Sequence, residues 1–327
     1  MIEQHYINKY FNGHRLNRTV DWDPYNPLNL PPYTMRLLYR SDLTPRLTKG
    51  SATQISQDPN VWDYTYENND WSYALFENAV AEVIGANTKN VTNMNYMFDR
   101  VFYMSAVSIF DTSEVTSMKH MFRDNQYLTA VPFYDTSKLV YMDSMLANCH
   151  SLSSIPPFDT SNVVSMGYTF GACWNVSSIP FFDTVSSMAE TFFSCTSLSS
   201  VPLFDTSNVT NMGRMFEYCK NLTSIPPFDT TNVNNVNNTF HDCKNVVSGA
   251  SAMYKQLSTK ANPPSAHYAT FSSCGIDTQQ GLAELNKIPT AWGGLSGTNY
   301  SNTGNNTNTG NGGSNTGNNG SYTGGLN

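Results

Sequence analysis

One recurring tripeptide limits the folds open to this chain. Phe110-Asp111-Thr112 returns as Tyr134-Asp135-Thr136, Phe158-Asp159-Thr160, Phe182-Asp183-Thr184, Phe204-Asp205-Thr206 and Phe228-Asp229-Thr230. The spacing is 24 residues except between Phe182 and Phe204, where it is 22. The shorter gap arises because Asp183-Thr184-Val185 lacks the Ser-Asn pair of Asp159-Thr160-Ser161-Asn162-Val163. Asn87-Thr88 extends the series one turn upstream. A period of this length marks units that cannot bury an apolar face alone and must stack on one another.

The apolar residues keep the same phase. Met94, Met118, Met142, Met166, Met188 and Met212 form a ladder closed by Val236. Four residues later stand Phe98, Phe122, Leu146, Phe170, Phe192, Phe216 and Phe240. Three beyond those come Cys149, Cys173, Cys195, Cys219 and Cys243, where the earlier turns carry Val101 and Asn125. Leu152, Val176, Leu198 and Leu222 follow, then Ile155, Ile179, Val201 and Ile225. The pattern predicts an α/β repeat solenoid over residues 85–275, with about 24 residues per turn and seven or eight turns. At about 4.8 Å per rung it would be on the order of 35–40 Å long. A short strand is expected at Leu152–Ile155, ended by Pro156, and a helical turn or tight loop at Met166–Cys173.

The flanks do not repeat. Residues 1–32, with Pro24, Pro27, Pro31 and Pro32, read as an extended N-terminal arm. Residues 33–84 are placed where a cap over the first apolar layer belongs, with a strand over Tyr33–Arg40. A helix is expected over Trp71–Ile84, from the spacing of Trp71, Leu75, Phe76, Ala79, Val80 and Val83. Gly249–Ala269 reads as an insertion before a last, degenerate turn at Thr270–Cys274. Residues 276–296 form the C-terminal cap, with a helix over Thr278–Leu285 and Trp292 over the last layer. Residues 297–327 are a low-complexity Gly/Asn/Thr-rich tail, too poor in apolar surface to order alone.

Charge is scarce. Charged residues make up 13 % and the net charge is −7, against roughly 25 % charged residues in ordinary domains. No basic cluster suits nucleic acid, and no apolar run is long enough for membrane insertion. The start, Met1-Ile2-Glu3-Gln4-His5-Tyr6, lacks the basic and apolar stretches of a secretory signal. The chain carries no phosphate-binding loop, nucleophile elbow or H-E-x-x-H motif, so no catalytic residue, cofactor or metal ligand is nominated. A solenoid-fused glycan hydrolase stays as a third class without a supporting motif. The six cysteines fall in one slot and read as reduced packing residues, disulfides between neighbouring rungs being the alternative. The Asp ladder reads as a row of Asx-turns, with calcium between turns the competing account.

The run Phe204-Asp205-Thr206-Ser207-Asn208-Val209-Thr210-Asn211-Met212, followed by Met215-Phe216, Cys219, Leu222 and Ile225, resembles the BspA-type leucine-rich repeats. These occur in bacterial surface proteins and in proteins of phages that infect gut bacteria. The resemblance implies a right-handed, leucine-rich-repeat-like solenoid with roles in adhesion or recognition. A weaker one joins the lead-in Asn60–Trp71 to segments that precede such repeats in phage proteins.

Aromatic residues that break the repeat outward are the candidate ligand-binding set. Tyr127, Trp174, Phe193 and Tyr218 stand beside the Cys slot, where small or polar residues are usual, and Tyr168 stands near the Met ladder. Rings there can stack on sugars or peptides, or simply pack on neighbours. The hydroxyl ribbon Ser153-Ser154, Ser177-Ser178, Ser199-Ser200 and Thr223-Ser224 suits a glycan or mere solvation. The expected function is that of a phage virion protein, of a fibre or surface decoration, that attaches to a bacterial surface glycan or protein. Its N-terminal region would contact other virion proteins, and a homo-oligomer is among the expected partners. The alternative is a bacterial cell-surface adhesin.

Overall fold

The computed structural model describes residues 28–39, 51–54, 61–66, 68–71, 80–182 and 185–296. All lie in the unit Met1–Gly297. The expected arm up to residue 27, the tail 297–327, Asp183-Thr184 and the helical stretch over 72–79 lie outside the described residues.

A five-stranded mixed sheet opens the described chain. Strands β1 (Thr34–Tyr39), β2 (Ser51–Gln54), β3 (Val61–Thr65), β4 (Val80–Ala86) and β5 (Ala106–Val107) lie in the order β2-β3-β1-β4-β5. In β1 the alternation of Met35, Leu37 and Tyr39 turns those side chains into the core. On the other face Arg36 sits opposite Asp63 of β3 and grips both carboxylate oxygens, at 2.7 and 2.8 Å. The end of the segment expected to be helical, Val80–Ile84, is strand β4. Its pairing with β1 shifts register twice, between Arg36 and Leu37 and between Leu38 and Tyr39. Bulges of this kind break strict alternation. They leave Val80 and Val83 buried three positions apart, which on sequence mimics a helical face.

The sheet runs into the repeats. β4 pairs in parallel with β5, Glu82 opposite Ala106 and Val83 opposite Val107, an offset of one 24-residue turn. From there single parallel bridges tie each turn to the next: Asp70 to Asn93, Asn93 to Ser117, then Tyr141, Ser165, Ser187, Asn211, Asn235 and Ala266 in succession. The row crosses the 22-residue turn unbroken, from Ser165 to Ser187. Trp71 takes the Met slot ahead of Met94. It is fully buried, and its N–H donates to Asn93 O as that of Met94 donates to Ser117 O.

Two tight turns follow each slot from Met94 to Val236. Each puts a non-glycine residue in the left-handed region, at Tyr168 and Ala172 or at Arg214 and Tyr218, for example. Their N–H groups donate to the following turn: Tyr168 to Ala189 O at 3.0 Å, Ala172 to Phe193 O at 2.6 Å, Tyr218 to His241 O at 2.9 Å. Backbone held at positive φ is costly outside glycine, and these bonds are what over-determine it. Met166–Cys173 is therefore a pair of tight turns rather than a helical turn. The expected strand at Leu152–Ile155 is absent. Isolated bonds cross the gaps there, as from Ser153 N to Thr129 O at 3.2 Å and from Ser199 N to Ser177 O at 3.3 Å, and in that row only Ser224 and Ser248 form a bridge among the described residues. Pro156 and its equivalents lack the N–H that would carry pairing further.

The interior is filled by two rows of rings. Phe170, Phe192, Phe216, Phe240 and Phe271 stack at 5.5–5.7 Å with near-parallel planes. Facing them, Phe204 and Phe228 lie 5.1 Å apart and Phe110 and Tyr134 4.8 Å apart. Side chains add rungs. The buried Thr112, Thr136 and Thr206 donate their hydroxyls to the Asp carbonyl one turn on, at 2.7, 3.0 and 2.8 Å. The thiols of Cys149, Cys173, Cys195, Cys219 and Cys243 donate to a carbonyl of the preceding turn at 3.0–3.2 Å. All six cysteines are free and buried. The carboxylates of Asp111, Asp135, Asp159, Asp205 and Asp229 accept from the N–H two residues on, which is the Asx-turn arrangement.

Past the repeats the insertion contains a helix that sequence reading missed, α1 (Ala250–Thr259), with Ala250, Met253 and Leu257 inward. It starts at Gly249, φ +93°, where a Cβ would stand 2.3 Å from Ile225 O. Helix α2 (Gln279–Leu285) is capped by the Thr278 hydroxyl, which accepts from Gly281 N at 2.9 Å. Trp292, on a short 3-10 turn, is buried against His267 with ring centroids 4.3 Å apart. Its carbonyl accepts from Phe271 N, in the position where another turn would otherwise supply the acceptor.

Candidate functional site

In-register stacking decides what the surface displays, because a residue in one slot stands one rung from its counterparts. The slot just after Cys149 holds His150, and the slot just after Cys173 holds Trp174. Their rings lie 3.6 Å apart and 3° from parallel. Trp174 is still 45 % exposed, so one side of the indole rests on imidazole and the rest meets solvent. Burial lowers the His150 pKa, partly opposed by Asp124, which keeps the imidazole neutral at physiological pH. One position further round, Tyr103 and Tyr127 stack at 5.7 Å, with Tyr127 55 % exposed. Two stacked pairs thus occupy four successive turns beside the Cys slot.

The other three candidates form a separate run on the tight turns. Tyr168 meets Phe193 at 5.9 Å, Phe193 meets Tyr218 edge-on at 5.6 Å, and Tyr218 meets His241 at 5.5 Å. Tyr168 lies over Gly171, where a Cβ would come 2.3 Å from its ring, and its hydroxyl donates to Asn148 Oδ1 at 3.2 Å. Burial, then Glu190, push the Tyr168 phenol up to about 12. The Arg214 guanidinium sits 4.8 Å over the Phe193 ring. Arg214 Nε donates to Glu217, and His241 Nδ1 lies 2.9 Å from the other oxygen of that carboxylate. Burial opposes charge on Glu217, yet the bonds from His241 and Arg214 hold its pKa below the usual value. Half-buried rings locked in such a network are a rigid surface, less open to a ligand than the face of Trp174.

Ring contacts among the described residues therefore join Tyr168, Phe193 and Tyr218 to one another, and place Trp174 with His150 and Tyr127 with Tyr103. His150, Tyr103, Arg214 and His241 escaped the sequence reading as members of the face. The signal was present: His150 is 24 residues before Trp174, and Tyr103 is 24 before Tyr127. Among the described residues no group of three or more His, Cys, Asp or Glu side chains is arranged to hold a metal ion. No helix of the described residues is long and apolar enough to cross a membrane.

A protein-family model described as "Mycoplasma protein of unknown function, DUF285" matches residues 69–181 and 185–258, more than half of the chain. The chain belongs to the DUF285 family. The DUF285 match begins beside Asp70, the first residue of the bridge row, and ends within α1. It is interrupted where the 22-residue turn lacks its Ser-Asn pair. Among curated proteins and solved structures nothing matches the chain.

Proposed function

We propose that this DUF285 protein is a non-catalytic attachment protein. In this reading the stacked turns are a leucine-rich-repeat-like solenoid of the BspA type, and the aromatic rungs bind a glycan of a bacterial surface. The observation that carries the reading is the Trp174 platform. An indole backed by a parallel imidazole at 3.6 Å presents a flat, half-exposed face on a frame bonded turn to turn. A sugar ring can stack on such a face without ordering it first, which removes an entropic cost of binding. The exposed hydroxyls of Ser153, Ser154, Ser177 and Ser178 add neutral hydrogen-bonding partners on the same turns.

A virion is the setting we propose first, from the likeness of the repeats to those in phage proteins. A bacterial cell surface is the second setting, from the likeness of the repeats to those in bacterial surface proteins. Antibodies against the protein decide between them, by labelling purified phage particles or bacterial envelopes.

The binding role is tested on a glycan array with wild type, Trp174→Ala and Tyr218→Ala. Loss of a stacking tryptophan at the centre of a contact is worth tenfold or more in affinity, about 1.4 kcal/mol or above. Trp174→Ala is expected to lose at least that much with an unchanged melting temperature. Tyr218→Ala is expected to lower the melting temperature, because Tyr218 packs on Phe193 and His241. Equal glycan binding by wild type and Trp174→Ala would remove the platform from the account.

A further inference from the structure

The residue just before each repeated Phe or Tyr points the opposite way from it. Phe110, Tyr134, Phe158, Phe182, Phe204 and Phe228 are buried, while Ile109, Phe133, Pro157, Phe181, Leu203 and Pro227 are exposed. Because the turns stack in register, these six make a continuous apolar ribbon one side chain wide and six turns long. Phe133 is 60 % and Phe181 70 % exposed. An isolated exposed Leu needs no explanation, but an aligned series of this kind marks a contact surface.

What can cover the ribbon is narrowed by its chemistry. Pro132, Pro156, Pro180, Pro202 and Pro226 stand beside it, and Pro157 and Pro227 within it, so it offers few N–H groups. An incoming extended peptide would find no ladder to join, and its own backbone would be desolvated without partners. A rigid apolar ribbon has no such penalty. Phe side chains carry about 150–250 Å² each, so the six residues present on the order of 500 Å². Two copies face to face would cover about 1,000 Å², the lower limit for a specific interface.

The order of side chains also selects a geometry. Read forwards the ribbon is Ile-Phe-Pro-Phe-Leu-Pro, and reversed it is Pro-Leu-Phe-Pro-Phe-Ile. Antiparallel pairing seats Phe181 of each copy on Pro157 of the other, Phe133 on Leu203 and Ile109 on Pro227. Parallel pairing would set Phe on Phe and Pro on Pro. The antiparallel arrangement seats each Phe on a smaller side chain, and a two-fold axis perpendicular to the ribbon makes that contact self-complementary. The exposed Asp159, Asp205 and Asp229 follow two positions beyond ribbon residues and bring like charges along the flanks of the pair.

We propose that this ribbon pairs two copies of the chain, antiparallel, in a weak dimer that salt strengthens. Salt screens the flanking carboxylates over a Debye length of about 10 Å at 0.1 M and leaves the apolar contact intact. A cationic partner on the same surface would respond in the opposite sense.

Sedimentation velocity on the full chain tests this. The mass should rise from 36.4 kDa towards twice that value with protein concentration, and rise further with added sodium chloride. Phe181→Ser should remain monomeric with an unchanged melting temperature, while Tyr127→Ser, outside the ribbon, should dimerise as wild type does. Ile109→Cys and Pro227→Cys proteins should form an interchain disulfide on mild oxidation when mixed, and far less when each is oxidised alone. A monomer under all these conditions overturns the proposal. So does a dimer that survives Phe181→Ser, or one that salt dissociates. Equal crosslinking of either variant alone overturns the antiparallel arrangement.

Discussion

Asn125 and the five bonded cysteines show what one slot of the repeat demands. Asn125 Nδ2 donates to Phe98 O at 2.7 Å, and Cys149 Sγ donates to Phe122 O at 3.1 Å, the same carbonyl one turn later. From Asn125 to Cys243 the slot holds a small side chain with a donor aimed at the preceding turn, while Val101, in the first turn, fills it by packing alone. This explains why six cysteines in a regular column need no disulfide to account for them. Burial pushes their thiols up, that of Cys195 to about 12, so the reactive thiolate is scarce at ordinary pH. The native protein is expected to be inert to Ellman's reagent at pH 8, and all six thiols to react once it is unfolded in guanidinium. Rapid modification of the native protein would show that the column is open. The Thr of the tripeptide obeys the same logic, its buried hydroxyl donating forward to the next turn.

At the level of elements, the repeat was readable because every slot recurs with the same chemistry, and Phe98, Phe122 and Phe170 need no structure to be aligned. Reading failed where that chemistry changes along a column. Ile109, Phe133, Pro157, Phe181, Leu203 and Pro227 share a slot but not a residue type, and each adjoins a buried ring that dominates the local pattern. β4 was misread because its bulges impose a spacing of three on a strand. α1 was passed over as an insertion, although Ala250, Met253 and Leu257 have the spacing of one helical face. Trp174 was legible as an outlier, and its partner His150 was missed although the repeat places it 24 residues earlier in the same slot. The start of α1 carries a specific expectation. Gly249→Ala would force a Cβ against Ile225 O at a positive φ, and should destabilise the protein by more than about 1 kcal/mol. Urea unfolding measures it, and an unchanged midpoint would mean that the entry to α1 tolerates a different path.

Across the whole molecule, stability is expected to come from nearest-neighbour contacts, each turn closing the apolar face of the one before it. Trp71 at one end and Trp292 at the other occupy the places where a further turn would stack. Interior turns should therefore be interchangeable, and any surface function should depend on which turns are neighbours. Removal of residues 210–233 joins Val209 to Asn234 and takes out one 24-residue turn, with Met212, Phe216, Cys219 and Phe228. Removal of residues 210–221 takes out half a turn and throws the columns out of phase. The decisive measurement is the urea unfolding of these two deletion variants, followed by near-ultraviolet circular dichroism. The 24-residue deletion should retain native aromatic signal and a single cooperative transition at a lower midpoint, and the 12-residue deletion should show neither. Loss of cooperative folding in both, or its retention in both, would contradict the stacking of equivalent turns on which the rest depends.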